Sequence, residues 1–114
     1  ILLRESHYHK RRPDMSKNIR TEEVDHLFDA ILCLKDKEEC YAFFEDVCTV
    51  NELLSISQRY EVAKMLRENS TYRDIADKTG ASTATISRVN RSLNYGNDGY
   101  DRVFERLGIL SDKQ

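Results

Sequence analysis

Thr83, Thr85, Ser87, Arg88 and Arg91 follow one another closely, and no Asp or Glu occurs anywhere from residue 79 to residue 95. Short hydroxyl side chains both donate and accept hydrogen bonds. An arginine offers a planar fork of donors that matches a phosphate or the paired acceptors on a guanine edge. Such a set recognises anions and base edges; it does not make or break bonds. The other chemically capable residues are scattered. Cys33, Cys40 and Cys48 lie seven and eight positions apart, whereas structural zinc sites usually draw their ligands in close pairs, so no metal site is expected. These cysteines read instead as buried thiols acting as small hydrophobes. His7 and His9 fall near the N-terminus, and His26, between Asp25 and Asp29, has no Ser, Cys or acid arrangement that forms a triad. No catalytic residue and no cofactor are expected.

The elements that must position those hydroxyls and arginines are short. Residues 72–79 form a helical pattern anchored by Ile75, with Ala76 small enough for a second helix to cross closely. Gly80 follows, a residue type that adopts positive φ without a Cβ penalty and so ends one helix while turning the chain. Ser82 is placed to cap the next helix. On that helix Ile86, Val89 and Leu93 make one inward stripe at i, i+3 and i+7. Thr83, Ala84, Thr85, Ser87, Arg88 and Arg91 are left on or near the outside. Isolated helices shorter than about 12–15 residues are marginal in water, so residues 71–94 are useful only when held at a fixed angle. That is the pattern of a helix-turn-helix, whose second helix enters the DNA major groove. The same pattern read without its acid-free face is an αα-hairpin that merely packs.

Residues 21–69 read as three amphipathic helices. Val24, Leu27, Phe28, Ile31 and Leu32 form a stripe behind Thr21 as N-cap. Asp36 with Glu39 opens a second helix that is expected to bury Cys40, Phe43, Phe44 and Val47. Thr49 with Glu52 opens a third, which carries Val50, Leu53, Leu54, Tyr60, Ala63 and Leu66 to a stop at Asn69. Ser55 and Ser57 mark a candidate interruption, since serine competes for backbone hydrogen bonds. After a loop at 94–99, residues 100–110 form a last amphipathic helix stopped by Gly108. Tyr72, Tyr95 and Tyr100 are expected to edge the core; the alternative is stacking on bases. The expectation is an all-α fold of about six helices. Residues 15–114 form its single domain, with 21–69 as a dimerisation core. Residues 1–14 show no period and read as a non-native or disordered leader, the alternative being a basic arm that reaches a second groove.

Composition agrees. The chain has 114 residues, one domain's worth, with 1 Pro, 4 Gly and no Trp, which favours helices over strands and tight turns. An odd number of cysteines without a close pair fits a reducing interior. No apolar run approaches the roughly 18–20 residues of a membrane span, so a cytoplasmic protein without membrane contact is expected. Net charge is −2, yet the charge is segregated. Residues 1–20 carry six Lys or Arg against two acids, residues 21–55 two against ten, residues 56–95 seven against four, and residues 96–114 three against four. Charges beyond a Debye length of about 8 Å are largely screened, so local sign decides. The acidic segment 21–55 is not the part that meets phosphate.

From Thr49 through Leu107 the sequence resembles the Trp repressor family, especially its small TrpR-related members of the YerC/YecD type. In that family a Thr opens a long helix bearing an Arg ten residues later, as Thr49 and Arg59 do here. The family's recognition segment, Ala-Thr-Ile-Thr-Arg, appears as Ala84-Thr85-Ile86-Ser87-Arg88, with Ser92-Leu93 following. The resemblance implies an intertwined all-helical homodimer that binds a palindromic operator in double-stranded DNA as a prokaryotic transcriptional regulator, a repressor; the residues expected to meet DNA are Ser82, Thr83, Ala84, Thr85, Ser87, Arg88 and Arg91. Arg73 is expected to meet the backbone from the preceding helix and Arg91 to read guanine, with Arg88 open to either role. It also makes Thr49, Arg59, Arg88 and Ser92 candidate effector-binding residues. One departure matters: the repressor has Gly directly after the recognition Arg, leaving room for the tryptophan corepressor, whereas Val89 stands here. Tryptophan is therefore not expected to bind. The alternative function, of a different class, is a helical protein-interaction module without specific DNA binding.

Overall fold

Capping side chains set where these helices begin. The computed structural model describes residues 18–110, so the leader expected over residues 1–14 lies outside the described residues. Six helices occur, α1 (Glu22–Leu32), α2 (Lys37–Val47), α3 (Val50–Arg67), α4 (Tyr72–Thr79), α5 (Thr83–Tyr95) and α6 (Gly99–Leu107), with no strand among the described residues. The chain is all-α, as expected. Thr21 accepts from the Val24 N–H at 3.1 Å and Asp36 from the Glu39 N–H at 2.9 Å. Thr49 and Glu52 form the reciprocal capping box. Thr71 and Ser82 cap α4 and α5, each at 3.1 Å. Each such bond satisfies a donor that the first turn otherwise leaves open.

The stops are equally local. Asn69 takes φ 65°, and the Ser70 N–H reaches back to the Met65 carbonyl at 3.0 Å, a Schellman closure of α3. Gly108, at φ 74°, ends α6 in the same way, with the Ile109 N–H on the Phe104 carbonyl at 2.9 Å. The last helix is thus shorter than the expected 100–110. Ser55 and Ser57 do not interrupt α3, which runs unbroken; Ser55 instead accepts from Arg59 at 2.9 Å, one turn along the same face.

The chain divides into two compact units between Val47 and Cys48. In the first, α1 and α2 hold no buried residue. The burial expected for Cys40, Phe43, Phe44 and Val47 is not found within one chain. Phe43 and Phe44 meet edge to face at 5.4 Å and stay half-exposed, while Cys40 and Val47 are exposed. Nor are the thiols interior, since Cys33 and Cys40 are exposed and Cys48 is half-buried. A helical stripe is covered only when a second layer lies over it.

The second unit is built on α3, which contacts α4, α5 and α6. Its core is Val62, Ala63, Ile75, Ala81, Ile86, Val89, Leu93 and Phe104. Phe104 brings α6 in, lying 5.5 Å from the Tyr60 ring and stacked on Tyr100 at 6.3 Å. The first half of α3 is different: Val50, Leu54 and Ile56 are all exposed.

Two glycines separate two constraints. At Gly80 an added Cβ would find only ordinary contact, 3.9 Å from Gln58 Nε2, so the requirement there is its φ of 74°. At Gly96 the φ is ordinary, but a Cβ would overlap the Ser92 carbonyl oxygen. Gly80→Ala is expected to lower unfolding free energy by about 1–2 kcal/mol, the left-handed penalty, and Gly80→Asn by less. Gly96→Ala should unwind the last turn of α5 instead. Urea unfolding with backbone NMR of residues 90–96 checks both; an unchanged midpoint for Gly80→Ala contradicts the account of the turn.

Candidate nucleic-acid interface

The turn between α4 and α5 is closed from within. The Gly80 N–H donates to the Ala76 carbonyl at 2.9 Å. The Thr79 hydroxyl donates to the Ile75 carbonyl at 2.7 Å and accepts from the Ala81 N–H at 3.1 Å. From α3, Gln58 Nε2 donates to the Thr79 carbonyl at 3.1 Å. A turn whose buried polar groups are all partnered has few alternative conformations, so α5 leaves it in one direction. Ile86, Val89 and Leu93 then seal its inner face, with Val89 only 1 % exposed.

The outer face of α5 carries the expected residues. Thr83, Ala84, Arg88, Arg91 and Ser92 are exposed, and Thr85 and Ser87 are half-buried on its flanks. At 3.6 residues per turn, Ala84, Arg88, Arg91 and Tyr95 form one stripe opposite the buried one. Ser82 is partly committed: besides capping, its hydroxyl donates to Thr85 Oγ1 at 3.2 Å. Arg73 is exposed on α4 beside Asp74. Arg88 and Ser92 share a face of α5 one turn apart. Arg59 is exposed on α3 and donates to Ser55. Thr49, at the start of α3, stands ten residues before Arg59, about 15 Å along the axis, with its hydroxyl in the cap.

The far end of α5 is tied down by an ion pair that the sequence did not announce. Arg67, the last residue of α3, meets Asp101 through Nε and Nη2, both at 2.8 Å, and Nη2 also donates to the Leu93 carbonyl at 3.2 Å. One guanidinium thus joins α3, α5 and α6. Its hydrogen bonds hold the Asp101 carboxyl below its ordinary 3.8 and raise the Arg67 guanidinium. Gln58 and Thr79 were also missed. Each acts through a partner that no local pattern names, although a hydroxyl just before the turn glycine is a usable signal. The tyrosines divide: Tyr100 packs on the core, whereas Tyr72 is exposed and Tyr95 is 86 % exposed, not at the core edge. A position next to the helix end leaves Tyr95 with no neighbouring layer.

Among the described residues no group of three or more His, Cys, Asp or Glu could hold a metal, and no helix is long and apolar enough to cross a membrane. The family model for the Trp repressor protein matches residues 22–108. The chain belongs to the Trp repressor family. It is 61 % identical over 89 residues to the uncharacterized protein YerC of Bacillus subtilis (strain 168), covering 78 % of this chain and 86 % of that one. It is similar to the crystal structure of a TrpR like protein from Eubacterium eligens ATCC 27750, with 78 % identity and TM-score 0.78, over 79 % of this chain and 93 % of that one. A second solved structure, from Staphylococcus aureus, has 56 % identity and TM-score 0.77 over 80 % of this chain and 91 % of the other. The all-α fold is thus shared with solved TrpR-like structures.

The ion pair gives a pH prediction. Because the folded-state value of Asp101 lies below its unfolded value, its contribution is complete above about pH 4 and is lost as pH falls through the folded value. The pair is partly solvated, which limits its worth to about 1 kcal/mol. Asp101→Asn should therefore be less stable than the parent by about 1 kcal/mol at pH 7, with the two curves converging in acid. Urea unfolding from pH 7 to pH 2.5 measures this, and a constant difference throughout would contradict the assignment.

Proposed function

We propose that the protein is a sequence-specific DNA-binding transcriptional regulator that acts as a homodimer in the bacterial cytoplasm. The observation that carries the reading is the outer face of α5: exposed arginines and short side chains, no acid from residue 79 to 95, on a helix fixed at both ends. Membership of the Trp repressor family supports it. Small side chains at Thr83 and Ala84 allow close approach to a groove floor. Thr85, Ser87, Arg88 and Arg91 reach base edges or phosphates, Ser82 holds the start of the helix beside them, and Arg73 meets the backbone from α4. Leu27, Phe28, Leu32, Tyr41 and Val47 are exposed in one chain, and apolar surface of this kind marks an interface. A second copy would cover it and set two α5 helices about 34 Å apart, facing a palindromic operator. Sedimentation at micromolar concentration should then give twice 13.3 kDa.

Fluorescence anisotropy on duplexes selected from a random pool tests the reading. An arginine that meets only phosphate should, as Ala, weaken all sequences alike and reduce the salt slope by about 0.9. One that reads guanine should cost about 1–3 kcal/mol at its own base pair and little elsewhere. The double variant Arg88→Ala, Arg91→Ala is expected to lose both components. Unchanged affinity would leave the protein-interaction reading in its place.

A further inference from the structure

Tyr95 is the most exposed large hydrophobic residue described, at 86 %, ahead of Leu32 at 81 %. It closes the stripe that Ala84, Arg88 and Arg91 begin, and the nearest acids in sequence are Asp77 and Asp98. From Thr83 to Tyr95 the helix rises about 18 Å, whereas the major groove is about 12 Å wide. A helix whose first turn reaches base edges therefore carries its last turn out to the phosphate wall. Side chains on a helix lean toward its N-terminus, so Arg91 still points back over the groove. Tyr95, one turn later, does not. Its position is fixed rather than frayed, because Arg67 holds the Leu93 carbonyl and the Gly96 N–H closes on the Ser92 carbonyl at 2.9 Å.

We infer that Tyr95 is a DNA-backbone contact, its hydroxyl donating to a phosphate oxygen and its ring covering the adjoining sugar at the edge of the groove that α5 enters. The occupant follows from charge: the stripe presents two guanidiniums and no carboxylate, which suits a polyanion. The inference rests on the proposed DNA-binding role and adds to it a residue that positions the helix without reading sequence.

Anisotropy with Tyr95→Phe and Tyr95→Ala, on the selected duplex and on a scrambled one, tests it on the full chain. A neutral hydroxyl displaces no counterion, so the slope of log Kd against log salt should match the parent, unlike that of Arg91→Ala. Affinity should fall about threefold for Phe and about tenfold for Ala, equally on both duplexes, as expected for one or two contacts. An exposed residue should leave Tm and sedimentation unchanged. If Tyr95→Ala binds as the parent does while Arg88→Ala and Arg91→Ala weaken binding, the inference fails and the DNA-binding role stands. If none of the variants differs, that role itself fails. A loss confined to one base pair overturns the backbone role, and a change of oligomeric state assigns Tyr95 to the interface between copies.

Discussion

Everything that α5 presents depends on its inner stripe lying against Val62 and Ala63 of α3. A 13-residue helix has little independent stability in water, and α5 is rich in weak helix formers, among them Thr83, Thr85, Asn90 and Asn94. Burying a side chain such as Ile86 or Leu93 stabilises by about 1.5–3 kcal/mol. The caps and the Arg67 pair contribute about 1 kcal/mol each. Apolar burial therefore decides that the helix exists, and the polar contacts decide where it points. Ala63 is part of that constraint, since a wholly buried methyl lets the two helices meet closely.

The outer face is relieved of any structural duty by this division. Among the described residues, the side chains of Thr83, Ala84, Arg88 and Arg91 are exposed and tie no elements together, while Gln58, Thr79 and Arg67 aim the helix from positions away from its surface. Val89 sits on the other side of the same arrangement. Its burial in the core occupies the position where the resemblance to the repressor places a glycine, so the packing that fixes α5 is continuous there. The first unit shows the opposite balance. Its helices have strong caps and good apolar stripes, yet they hold no buried residue.

Much of this was legible in the sequence because it is local. Thr49 and Glu52, Asn69, Gly80 and Ser82 act within four residues of their own position, and each ends or begins a helix where the residue types say it should. The boundaries of α4 and the inner stripe of α5 follow from the same short-range rules. What could not be read depends on partners far along the chain. Arg67 looks like any solvated arginine until Asp101 folds back beside it, and Gln58 gains its role only because Thr79 lies across from it. Tyr95 was misplaced for a related reason: periodicity assigns a residue to a face, but not to the presence or absence of a neighbour over that face. Cys33, just after α1, and Cys40, within α2, are exposed for the same reason.

The central claim is that the exposed face of α5 is where DNA is met. Amide NMR of the labelled full chain, titrated with a duplex selected from a random pool, tests it most directly. The account predicts that shifts concentrate in residues 82–95 and at Arg73, while amides in the middle of α1 and α2 barely move. Shifts confined to α1 and α2, with α5 unperturbed at saturation, would contradict it.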